Sequence, residues 1–184
     1  MDNSVGPLKT FVTSMTALLV ASQHEERIIA EGKLLLGALV SNDQWLPPEY
    51  ALPLSDRYSQ YLLYCDPQDR FSVVSFVWGP GQSTPVHDHT VWGLVGVLRG
   101  AERCDEFDYR NGLIHDLDDS HIMTVGQVEA VSPTIGDWHR VSNASDGNSI
   151  SIHVYGGNIG KISRHRLDTK GHIADFVSGY ENGA

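Results

Sequence analysis

Apolar residues recur along this chain with two different periods. Leu8, Phe11, Val12, Met15, Leu18 and Leu19 repeat at three- and four-residue intervals, the spacing of one helix face. A polar break comes next at Ser22-Gln23-His24, and Ile28, Ile29, Leu35, Leu36 and Leu39 make a second stripe. The pattern predicts two amphipathic helices over residues 8–42, joined by a short turn, with apolar faces that must pack on the downstream sheet. Pro47-Pro48 and Pro53 mark a transition. From Tyr58 the chain breaks into short β-like runs at 61–64, 71–78, 91–98, 122–125, 128–131 and 149–155. Gly79-Pro80-Gly81, Arg110-Asn111-Gly112 and Asp146-Gly147-Asn148 separate them as turns, Asn111-Gly112 being a strong hairpin signal. Many short strands between turn residues predict an all-β core, closed as a sandwich or barrel. The last dozen residues, ending Glu181-Asn182-Gly183-Ala184, are expected to be a frayed tail.

Composition narrows the class. A chain of 184 residues with 41% hydrophobic content fits one domain over 1–184. Its parts are the helical prelude at about 8–42 and a β-barrel at about 55–165. The net charge of −10 argues against nucleic acid and anionic membrane as partners. No apolar run reaches the roughly 18 residues of a membrane-spanning helix. Met1-Asp2-Asn3-Ser4-Val5 lacks the basic opening of a signal peptide. The two cysteines, Cys65 and Cys104, suggest no disulfide framework. A cytoplasmic location is the expectation, and the oligomeric state is left open.

The chemistry concentrates in two segments, Pro85-Val86-His87-Asp88-His89-Thr90 and Asp137-Trp138-His139-Arg140-Val141. On a strand, His87 and His89 project to the same side, because side chains alternate faces. His139 arrives from a distant strand. Three imidazoles with coordination positions left over make a catalytic metal centre rather than a closed structural one. A bare His-x-His also fits a surface strand facing water; the surrounding glycine and proline spacing favours the ligand reading. His24, His115, His121, His165 and His172 sit in polar contexts and are read as surface residues.

That spacing carries a resemblance. Gly81, His87-x-His89, Gly93 and Gly100, then Gly126, Pro133, Gly136, His139 and Asn143, resemble the two motifs of the cupin superfamily. The resemblance implies a cupin-type β-jelly-roll barrel, here preceded by two N-terminal α-helices, with the histidines at the barrel mouth. Many cupins carry a glutamate ligand where this chain has Gly93. Three neutral histidines without a carboxylate are similar to the centre of the thiol dioxygenases, the cysteine dioxygenase family. Trp138-His139-Arg140-Val141 looks like that family's third-ligand motif, and Ser151-Ile152-His153-Val154-Tyr155 like its Ser-His-Tyr relay. The three relay residues alternate, so they share a face; an ordinary polar lining has the same pattern. The resemblance implies iron(II) on His87, His89 and His139. It implies that Tyr155 donates to bound oxygen or substrate, His153 holds the tyrosine and Ser151 fixes the histidine tautomer.

Animal members carry a cysteine that crosslinks to the relay tyrosine. The aligned position here is Gly93, so no thioether on Tyr155 is expected. They also carry a carboxylate-binding arginine where this chain has Gln60. Glutamine cannot make arginine's bidentate ion pair. Arg164 lies beyond the turn Gly156-Gly157-Asn158-Ile159-Gly160. Gln60 with Arg164 looks like the bacterial subgroup that prefers 3-mercaptopropionate. Arg166 competes for the role, since residues 164 and 166 share a face on a regular strand. The expected reaction adds both atoms of O2 to a small thiol carboxylic acid. Cysteine is the alternative substrate, and a non-catalytic metal-binding cupin that senses a small acid is the rival class.

Overall fold

The computed structural model describes residues 6–183. Met1–Val5, on which the signal-peptide expectation rested, and Ala184 lie outside the described residues. The two helices form as the apolar stripes predict, α1 at Gly6–Ala21 and α2 at Glu25–Val40. Ten strands come after them: β1 Ser59–Cys65, β2 Ser72–Trp78, β3 Gly93–Arg99, β4 Ala101–Arg110, β5 Leu113–Thr124, β6 Val128–Val131, β7 Trp138–Asn143, β8 Ser149–Tyr155, β9 Arg164–Leu167 and β10 Ile173–Phe176. Asn111 and Gly112 take left-handed conformations, φ 54° and 82°, and turn the β4–β5 hairpin.

Two antiparallel layers enclose the site. The first runs β1-β2-β8-β3-β6. The second runs β5-β4-β7, continued by single backbone bridges Ser83–Ser142 and His87–His139 and, through His87–Arg166, onto β9 and β10. This is the jelly-roll barrel with two N-terminal helices.

Alternation along β8 sorts its residues between two environments. Ile150, Ile152 and Val154 point outward into the cluster formed with Phe11, Met15, Leu18 and Leu36 of the helices. Each fully buried side chain of this kind contributes roughly 1.5–3 kcal/mol. Tyr155 points inward with Val74, Phe76, Trp78 and Val141. Close approach of α2 to the sheet needs glycine on both sides. A Cβ on Gly32 would stand 2.8 Å from Leu94 Cδ1, and one on Gly96 3.0 Å from Leu36 Cγ.

The pattern missed β4, most of β5, β9 and β10, and gave β7 no apolar run, although a strand was expected to carry His139. β5 is exposed over most of its length, so neither face shows an apolar signal. The tail expectation is corrected for the described residues: the segment after Leu167 is held in place through Asn182. β10 pairs with β9, Tyr180 Oη donates to Asn158 Oδ1 at 2.7 Å, and Asn182 brackets Leu62 through both its amide atoms. A polar segment gains its order here from long-range hydrogen bonds, which leave no periodic trace.

Candidate metal centre

His87 and His89 do not lie on a regular strand, which corrects the local expectation. Pro85 has no N–H for a ladder. Only single bridges hold the segment, with His87 and His139 exchanging backbone hydrogen bonds of 3.0 Å each way. Beyond it, Thr90 has φ 61°. The Asp137 carboxylate fixes this bend by accepting from the backbone N–H groups of His89 and Thr90.

The three rings nevertheless converge. Their centroids lie 4.8–4.9 Å apart, and one ligand atom from each comes within 4.8 Å of the others. The nitrogen opposite the convergence point is engaged in each case. His87 Nδ1 lies 3.1 Å from Pro85 O, His89 Nδ1 2.9 Å from Asp137 Oδ1, and His139 Nδ1 3.5 Å from Cys104 Sγ. Such partners set the ring orientation and leave Nε2 free for an ion. His89 Nε2 is buried with no hydrogen-bond partner among the described residues, a lone pair left unsatisfied. Burial holds the imidazoles neutral, His87 and His89 well below the usual range and His139 down to about 4. Neutral, oriented and converging imidazoles fit a divalent transition metal.

Ser151, His153 and Tyr155 lie on the inward face of β8 and form a chain. Ser151 Oγ is 2.8 Å from His153 Nε2, and His153 Nδ1 is 2.7 Å from Tyr155 Oη. Trp78 Nε1 donates to Ser151 Oγ at 3.3 Å. All three are buried, and burial keeps His153 neutral and raises the Tyr155 phenol. The Tyr155 ring stacks on His89 at 5.4 Å, which brings the outer end of the chain to the histidine cluster. Gly93 is the cross-strand partner of Tyr155, and a Cβ there would stand 2.9 Å from the Tyr155 ring.

The cluster opens on a cavity of about 20 Å³ lined in part by Tyr58, Gln60, His87, His139, Tyr155 and Arg164. That volume holds about one water. Arg164 is 4% exposed and donates through Nη2 to Ser178 Oγ at 2.8 Å. Its guanidinium lies 4.5 Å from the Phe176 ring centre, and its Nε has no partner. Among the described residues no carboxylate pairs with it, and burial lowers its pKa. Arg166 is exposed and lines a wider outer mouth of about 550 Å³, which shares Tyr58, Gln60, His87 and Phe176 with the inner cavity but not Arg164. Strand alternation left the two arginines equivalent; the cavity separates them. Gln60 reaches the cavity too, but its Nε2 donates to Gly179 O at 2.9 Å and so holds the C-terminal segment.

Several contributors escaped the sequence reading. Asp137 stands two residues before His139, a spacing that could have marked it. Cys104 and Tyr58 gave no local signal. His165 lies against Asp88, its Nδ1 2.7 Å from Oδ2, and His121 lies against Glu129; both remain at the surface, as expected, but each is paired with a carboxylate. Cys104, His121 and Glu129 also bring donor atoms within 4.8 Å of one another. There His121 and Glu129 pair directly with each other.

The family model described as cysteine dioxygenase type I matches residues 9–167. Among solved structures, the chain resembles an uncharacterized conserved protein with a double-stranded β-helix domain from Klebsiella pneumoniae. That pair shares 18% identity over 70% of this chain and 91% of the other, with a TM-score of 0.48. It also resembles a Cupin 2 conserved barrel domain protein from Salinispora arenicola, at 20% identity, 61% and 87% coverage and a TM-score of 0.46. An RmlC-like cupin protein from Desulfovibrio desulfuricans matches at 22% identity, 56% and 86% coverage and a TM-score of 0.43. The family match spans both helices, the histidine cluster and the β8 chain, and on that extent the protein belongs to the cysteine dioxygenase type I family.

Proposed function

We propose that this chain is a mononuclear iron(II) thiol dioxygenase that converts 3-mercaptopropionate to its sulfinic acid. The stoichiometry RSH + O2 → RSO2H balances without an added reductant. The observation that carries the reading is a cluster of three neutral imidazoles, His87, His89 and His139, two of which line one cavity with Tyr155 and a buried guanidinium, Arg164, that has no carboxylate partner among the described residues. A buried cation without a counter-ion is costly and calls for an anion. His87, His89 and His139 would hold the iron, which when bound supplies the redox chemistry that activates O2 beside the thiolate. Arg164 holds the substrate carboxylate, and Ser178 and Phe176 fix the guanidinium. Tyr155 directs its hydroxyl at the reacting end, and His153 and Ser151 fix that direction. Phe76, Trp78, Val141 and Phe176 form the apolar part of the cavity wall, and low polarity there strengthens each of these polar contacts.

The family description favours L-cysteine as the alternative substrate. The cavity lining supports the thiol acid instead, because it includes no Asp or Glu to receive an α-ammonium. An anaerobic iron(II)-loaded preparation, assayed for O2 uptake with a panel of small thiols, tests both. Greater kcat/KM with 3-mercaptopropionate than with L-cysteine is expected, with sulfinic acid as product. The reverse order overturns the substrate and keeps the reaction. Metal and thiol-acid binding without O2 uptake would identify a sensor instead.

A further inference from the structure

Glu102 is a carboxylate inside the barrel that the proposed reaction does not use. It sits on β4 and is 1% exposed; among the described residues neither carboxyl oxygen is held in well-aligned hydrogen-bond geometry, although two hydroxyls lie close enough to favour its ionised form. The Ser149 and Ser151 hydroxyls face it from β8, and Ser149 Oγ is itself buried and unpartnered. Across the sheet its neighbours are Met123 on β5 and Asn143 on β7, both uncharged, and the nearest titratable group on its own strand face is the Cys104 thiol. No charged side chain shifts it. Burial alone pushes the carboxyl up, to about 8, against a smaller opposing pull from the two hydroxyls.

We propose that Glu102 is the inner end of the Ser151–His153–Tyr155 chain and that its proton sets the direction in which those hydrogen bonds run. The inference rests on the dioxygenase reading for its consequence, not for its geometry. With Glu102 protonated, its O–H donates to Ser151 Oγ. Ser151 then donates to His153 Nε2, His153 Nδ1–H donates to Tyr155 Oη, and the phenol proton is free to point at the histidine cluster. With Glu102 ionised and its proton lost to solvent, Ser151 donates to the carboxylate. His153 must then carry its proton on Nε2, and Tyr155 donates back to Nδ1. Ser151 Oγ has two lone pairs, so the Trp78 N–H is accommodated in both states. One proton at the closed end of the barrel thus reverses three hydrogen bonds and removes the donor at the open end. Glu102 is a positioning residue acting through Ser151.

The test reads the His153 tautomer by NMR, on the full chain with isotope-labelled histidine and diamagnetic Zn(II) added. His153 signals are identified by their loss in His153→Asn. We expect the Nδ1–H tautomer below about pH 8 and the Nε2–H tautomer above it. Glu102→Gln should show one tautomer at every pH. Ser149→Ala removes a hydroxyl that favours the carboxylate and should shift the midpoint to higher pH. A wild-type His153 with no tautomer change, or a change that survives Glu102→Gln, overturns the proposal. In the iron(II) enzyme, kcat should fall on the alkaline side in the wild type and not in Glu102→Gln. A wild type without thiol-dependent O2 uptake would remove the dioxygenase reading and leave the tautomer result to decide the role of Glu102.

Discussion

Burial acts on His87, His89, His139 and His153 in the opposite sense to Glu102. It holds the histidines neutral below their ordinary value of 6.5 and holds the carboxyl protonated up to about 8. Unfolding lets each histidine take up a proton below pH 6.5, so their stabilisation is complete above that pH and is lost as pH falls. Unfolding makes Glu102 release its proton above its ordinary 4.5, so its contribution declines as pH rises from 4.5 to about 8. Four histidines outweigh one carboxyl on the acid side. In chelator-treated protein the urea midpoint should therefore peak near pH 6.5 and fall toward about pH 8. Glu102→Gln should abolish that fall; a wild-type profile that keeps rising there would contradict a neutral buried carboxyl. Arg164 answers to a different measurement. Loss of a charge-assisted hydrogen bond costs about 1.5–3 kcal/mol, so Arg164→Ala should cut kcat/KM for 3-mercaptopropionate by roughly one to two orders of magnitude. Use of 2-mercaptoethanol, which has no carboxylate, should change much less. Arg166→Ala, at the outer mouth, is the control; a selective loss there instead would reassign the clamp.

At the scale of elements, period-two alternation and glycine placement decide which faces meet. β8 gives three residues to the helix-covered core and three to the polar chain, so a one-residue slip would exchange the two sets. The seam between α2 and β3 depends on Gly96, where an added Cβ would lie 3.0 Å from Leu36 Cγ and 3.1 Å from Val40 Cγ1. Gly96→Val should destabilise by about 1–3 kcal/mol in urea titration and leave the metal content of the folded protein unchanged. β10 has a functional consequence. Phe176 lies over both Arg164 and Arg166 and lines the inner cavity as well as the outer mouth. The inner cavity of about 20 Å³ is smaller than a thiol acid, and Phe176 is part of the wall it shares with the outer mouth. Phe176→Ala should join the two spaces, admit bulkier thiols, and raise KM for 3-mercaptopropionate as Arg164 loses its packing. Unchanged discrimination between small and bulky thiols would show that entry lies elsewhere.

At the scale of the molecule, the centre ties the irregular segment at 83–89 to β7, while the β8 chain reaches it from the facing layer. An ion bound to the folded state alone stabilises it by mass action, about 2.7 kcal/mol at a free concentration a hundredfold above Kd. Added Zn(II) should therefore raise the thermal midpoint, and a chelator should reverse the gain. His139→Ala should lose the response. An equal response in that variant would place the ion at another site.

Both helices, the all-β core, the hairpin at Asn111-Gly112 and the shared face of Ser151, His153 and Tyr155 were legible in the sequence. Each is written as a local period or a turn residue, and local sterics are enough to read it. The histidines were legible as a set because few residue types bind metals, although the strand expected beneath His87 and His89 is an irregular bend held by Asp137. What only the tertiary structure decided depends on distance across the fold. It put Arg164 inside the cavity and Arg166 outside it, spent the Gln60 amide on Gly179, and ordered the C-terminal segment through Ser178, Tyr180 and Asn182. It also enclosed Glu102 behind Ser151. A period records which face of an element is apolar. Which side chain lies opposite, and whether water reaches it, is settled only when the two layers close.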